Sequence, residues 1–137
     1  MFFNKKNNKV DTNFLTKVCA LLIHAAKIDE NYTENEETII KKTLLELGCS
    51  EDDLYKTIKD AKTIEENSNQ ILDFTKEVKN MTEQDKIKIV EALWSIIYSN
   101  KDADMYETNL MRRLAGLLYI DNKTMGNIKD KIKNKNL

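Results

Sequence analysis

Apolar residues recur along this chain at helical spacing. Phe14, Val18, Leu21, Leu22 and Ala25 fall at i, i+4, i+7, i+8 and i+11, which predicts a first helix over about residues 13–28 with one apolar stripe. A second helix is expected from near Thr33, with Ile39, Ile40, Leu44 and Leu47 inside, stopping at Gly48, a residue suited to the left-handed turn that closes a helix. Ser50 is placed to cap a third, more polar helix. Glu51, Asp52 and Asp53 occupy its first turn, where the helix dipole favours acids, and its apolar face is thin: Leu54, Ile58 and Ala61. After the polar break EENSNQ, Ile71, Phe74 and Val78 outline a short fourth helix. Thr82 caps a long fifth one through Ile87, Val90, Leu93, Trp94 and Ile97, and Asp104 opens a sixth holding Leu110, Met111, Leu114, Leu117 and Leu118. Asp121 caps a last helix carrying Met125, Ile128 and Ile132. No stretch alternates with a period of two for long enough to make a strand. The expected fold is therefore an all-α, compact bundle of about seven helices.

The chain also matches itself at an offset of 71 residues. Val18, Leu22 and Ala25 fall on Ile89, Leu93 and Ile96, Asp29 falls on Asn100, and Glu36 falls on Glu107. The string Ile39-Ile40-Lys41-Lys42 falls on Leu110-Met111-Arg112-Arg113, apolar on apolar and basic on basic. Helical periodicity alone would align any two amphipathic helices, but not an acid or amide in the loop together with a glutamate seven residues on. Two related halves with pseudo-twofold symmetry are expected, with the two loops as equivalent points of interest.

Composition narrows the class without naming a role. A chain of 137 residues suits a single domain. We expect one unit over 1–137, its core spanning about 14–132, with flexible ends at 1–12 and 133–137. Hydrophobic residues at 41% and charged ones at 33%, with a mean hydropathy of -0.57, fit neither general disorder nor a membrane protein. The opening MFFNKKNNKV does not have the order of a secretory signal, so a cytoplasmic location is expected. A net charge of -1 supplies no global field for nucleic acid, and none is expected as a partner. Cys19 and Cys49 lack metal-ligand spacing and read as small, reduced hydrophobes. His24 is the single histidine and lies on the flank of the first apolar stripe, which suits a half-buried structural role. Trp94, Phe74 and Tyr98 follow helical spacing and read as core or core edge. The pairs Lys41-Lys42 and Arg112-Arg113 either meet nearby acids or mark a charged surface for a partner. No phosphate-cradling glycine loop or nucleophile motif is present, so no enzymatic activity is expected.

The loops AAKIDENYTENEE and IYSNKDADMYETN carry the remaining candidate chemistry. Thr33-x-x-Glu36 has the spacing of a capping box, and Asp104-x-x-Glu107 that of a related cap, so both glutamates can be explained as helix starts. Capping does not explain Asp29, an acid near the C-terminal end of the first helix, where the dipole disfavours it.

With these loops the chain resembles the TerB (tellurite-resistance) family, whose two helical halves each carry an acidic Asp-Gly loop followed by a glutamate seven positions after the aspartate. Asp29 and Glu36 match that pattern in the first half, and Tyr98, Asp104 and Glu107 match positions of the second. The likeness covers about residues 14 to 132. Glu30 and Lys101 stand where the family favours glycine, and Asn100 where it favours aspartate. The resemblance implies a non-catalytic module linked to stress or tellurite response, with a protein partner and a peripheral membrane association. It also implies a cation site drawn from Asp29, Glu36, Asn100, Asp104 and Glu107. These are hard oxygen donors, which favour Ca2+ or Mg2+, and the departures predict weak binding. A metal-independent protein–protein adaptor is the alternative, and no other cofactor is expected.

Overall fold

A computed structural model of the chain describes residues 12–27, 34–68, 72–76, 78–99 and 105–135. Among them are seven α-helices and no strand: α1 (Thr12–Ala26), α2 (Glu34–Glu46), α3 (Glu51–Glu66), α4 (Leu72–Thr75), α5 (Glu83–Tyr98), α6 (Met105–Leu117) and α7 (Asn122–Lys135). A 3-10 turn, Val78–Asn80, joins α4 to α5. The expected fourth helix is thus shorter than its apolar spacing suggested. Phe74 reaches the core from α4 and Val78 from the 3-10 turn.

Two helices form the centre. On α1, Leu15, Val18 to Ile23, Ala25 and Ala26 are all buried, so the helix is enclosed on nearly every side rather than along the one stripe expected from the sequence. The reason is its neighbours: α1 packs on α3 most extensively and also on α2, α4 and α5. A helix apolar all round belongs inside, and Ala20, Ile23 and Ala26 supply the faces that the stripe reading left out. The second central helix is α5, with Ile89, Val90, Leu93, Trp94, Ile96 and Ile97 buried and its broadest contact on α7.

One turn between helices repeats at the offset read from the sequence: α3 begins at residue 51 and α7 at 122, 71 later. The helices before them, α2 and α6, close alike, ending at residues 46 and 117. The Cys49 amide donates to the Leu44 carbonyl (2.9 Å) and the Gly48 amide to that of Leu45, which is a Schellman closure, and Gly48 has φ 106°. In the second half the Ile120 amide donates to Ala115 (2.9 Å) and the Tyr119 amide to Gly116, with Tyr119 at φ 59°. The next helices start alike: the Ser50 hydroxyl accepts from the Asp53 amide at 3.2 Å, and the Asp121 carboxylate from the Thr124 amide at 2.6 Å. Thr82 caps α5 in the same way through the Asp85 amide at 3.2 Å. The caps expected at Thr33 and Asp104 lie outside the described residues. The last helix runs to Lys135, although within its final turn only Ile132 is buried.

Candidate functional site

The loop residues were the leading candidates, and the structure describes two of the five. Glu36 lies in the first described turn of α2 and Glu107 in that of α6. Glu36 is 1% exposed, whereas its neighbours Glu34 and Asn35 face solvent. Glu36 has an interaction partner within the protein. Asp29, Asn100 and Asp104 lie outside the described residues, as does the side chain of Glu107. Among the described residues no group of three or more His, Cys, Asp and Glu side chains is close enough to hold a metal ion.

A charged cluster that the sequence did not point to ties α1 to α3. Glu65, 9% exposed, accepts from Lys27 Nζ at 2.7 Å through one carboxylate oxygen, and the other lies 3.2 Å from His24 Nδ1. The hydrogen bond to Glu65 raises the Lys27 pKa above its ordinary value. His24 also tilts against Phe74, with ring centroids 6.5 Å apart. This is the half-buried structural role expected for His24, but its carboxylate partner is 41 residues away, and no local spacing could have named it.

Trp94 and Tyr98 are structural. Trp94 donates to Met125 Sδ (3.4 Å), stacks on Tyr98 with centroids 5.8 Å apart and carries Lys129 Nζ 5.5 Å from its ring. Both cysteines are buried free thiols. Burial pushes Cys19 up to about 12 and also raises Cys49.

The basic pair of α2 divides between two recesses. Lys41 lies 3.6 Å from Glu37, which also meets Lys62 at 3.6 Å. It lines a recess of about 320 Å³ between α2 and α3, floored by Leu54 and Ile58 and edged by Lys59, Lys62 and Tyr55. Tyr55 is 78% exposed. Lys42 instead lines a recess of about 280 Å³ where α2, α5 and α7 meet.

The described residues thus make a strand-free helical protein in which one helix–turn–helix closure occurs twice, 71 residues apart, and none of its helices is long and apolar enough to cross a membrane. The family model described as Tellurite resistance protein TerB matches residues 15–130, and the chain belongs to that family of non-catalytic helical domains. Comparison with curated proteins and with solved structures gives no significant match.

Proposed function

We propose that this chain is a non-catalytic, tellurite-resistance-associated module that binds calcium or magnesium weakly at its interhelix loops. Asp29 and Glu36 would serve the first loop, and Asn100, Asp104 and Glu107 the second. The setting is a cytoplasmic stress response in which the module works with a protein partner. The observation behind this reading is the burial of Glu36. A carboxylate withdrawn from water is costly unless fixed partners or a cation compensate it, and a buried one at the end of an acidic loop can serve as an oxygen donor to a cation. The amide at Asn100 lowers the charge of the second loop, so a dissociation constant on the order of 10⁻⁴ to 10⁻³ M is expected. Residue-resolved NMR during calcium and magnesium titration tests this. Signals around Asp29 and Glu36, or around Asn100 and Glu107, should move, and Asp29→Ala should abolish the first set with the helices intact. Unchanged loops at millimolar cation would reduce these acids to helix caps.

A metal-independent adaptor is the second reading, and the α2–α3 recess favours it. An exposed tyrosine beside an apolar floor and a lysine rim has the composition of an interface anchor. The same titration separates the two readings, because the adaptor responds to neither ion.

The equal offset of the two closing turns, with the caps that follow them, also supports a pseudo-twofold relation between the halves. In an experimental structure, residues 14–48 should superpose on 85–119, and unrelated interhelix angles would refute the relation.

A further inference from the structure

We infer that the recess between α2, α5 and α7 is a binding site for a small, hydroxyl-bearing phosphate ester. It draws on both halves of the chain. Ile39, Lys42, Thr43 and Glu46 come from one face of α2, and Lys88, Glu91, Ala92 and Ser95 from one face of α5, each set at i, i+3, i+4 and i+7. Lys131, Ile132 and Lys135 of α7 complete the lining. The recess is about 280 Å³, room for a small metabolite and too little for a folded partner to enter.

Its charge is the first argument. Four lysines and two glutamates line it, a local excess of two positive charges in a chain whose net charge is -1. Glu91 is already committed to Lys131 at 2.7 Å. Lys88 has only a 4.0 Å approach to Asp85, and Lys42 and Lys135 make no hydrogen bond or ion pair among the described residues. Lysines from three separate helices lining one concavity suit a multiply charged, many-acceptor anion better than a single carboxylate, and phosphate has that chemistry.

The remaining lining selects what the phosphate is attached to. Ala92 and Ile132 are buried and Ile39 is half-buried, so the floor offers a small apolar contact to a carbon skeleton. Glu46 is exposed and Ser95 half-buried, and both can accept hydrogen bonds from ligand hydroxyls. A flat membrane surface would meet the rim alone and leave this floor unused. The inference stands apart from the loop cation reading, since it uses none of the same residues.

Ribose 5-phosphate is the probe, titrated at fixed ionic strength with amide shifts read residue by residue. Shifts should concentrate on α2, α5 and α7 around Lys42, Lys88 and Lys135, with a dissociation constant on the order of 1 mM. The double variant Lys42→Gln/Lys135→Gln should weaken binding about tenfold or more, while Lys56→Gln on α3 should leave it unchanged. Ribose without the phosphate should bind at least about tenfold more weakly. Circular dichroism would confirm that the variants fold, as expected for exposed lysines. The inference fails if the shifts are absent, if they spread equally over exposed lysines such as Lys56 and Lys59, or if they survive in the double variant. It also fails if the protein sediments with phosphatidylglycerol vesicles yet ignores the soluble ester.

Discussion

Gly48 and Tyr119, 71 residues apart, occupy the same position in two copies of one helix-closing turn, both with positive φ, at 106° and 59°. Glycine enters this conformation freely, whereas a tyrosine there bears a cost of about 1–2 kcal/mol. Tyr119 is 69% exposed, so its burial offsets little of that. What its ring does have is Lys79 Nζ and Lys86 Nζ, each 5.8 Å from the centroid. Cation–π contacts contribute about 0.5–1 kcal/mol each at exposed sites and more where the cation is desolvated, as the buried Lys86 is, enough to balance much of the strain. Gly48→Ala should therefore destabilise the protein by about 1 kcal/mol or more, while Tyr119→Gly should change stability by less than about 1 kcal/mol. Chemical denaturation of both variants checks this, and equal losses would contradict it.

Glu65 joins His24 of α1, and Lys27 just after it, to α3 from a nearly buried position. Glu65→Gln should cost about 1–3 kcal/mol, because the buried acceptor of Lys27 and partner of His24 loses its charge. Lys27→Met should cost less, since Lys27 is 44% exposed and its contact is screened.

The Lys27 contact also has a pH signature. Its folded pKa is raised above the ordinary 10.5, so its stabilisation is complete below that value and fades as pH rises through the folded one. Denaturation midpoints of the wild type and Lys27→Met should converge in strongly alkaline solution and differ at neutral pH.

The caps give a third set. Ser50→Ala and Thr82→Ala should each cost about 1 kcal/mol, measured by thermal or chemical denaturation. At Asp121 the Thr124 amide, and then the Thr124 hydroxyl, hold the carboxylate pKa below its usual 3.8. That stabilisation is present above 3.8 and is lost as pH falls through the depressed value. Asp121→Asn, which caps without titrating, should flatten this part of the acid profile below the usual 3.8.

Thiol labelling supplies a fourth prediction. With its pKa pushed up to about 12, chiefly by burial and next by Cys49, Cys19 holds almost no thiolate at neutral pH. A chromogenic disulfide should leave Cys19 unmodified in the native protein and label both cysteines in denaturant. Rapid native labelling of Cys19 would show that α1 opens far more readily than its burial implies.

Residue pattern by itself determined the helices, their order, the offset of 71 and three of the caps, at Ser50, Thr82 and Asp121. Helix spacing, capping and turn closure are set by residues within a few positions of each other, so they can be read locally. Family membership was legible for a related reason, because the resemblance resides in short loop strings and helix registers. The enclosure of α1 on nearly all sides was not legible, since it depends on which helices surround it, and an apolar stripe says only which side is buried first. Nor were the Glu65 contacts to His24 and Lys27, made across 41 and 38 residues of chain. The division of Lys41 and Lys42 between two recesses was likewise decided only by tertiary structure: adjacent residues on a helix point about 100° apart, and what each one faces is fixed by packing.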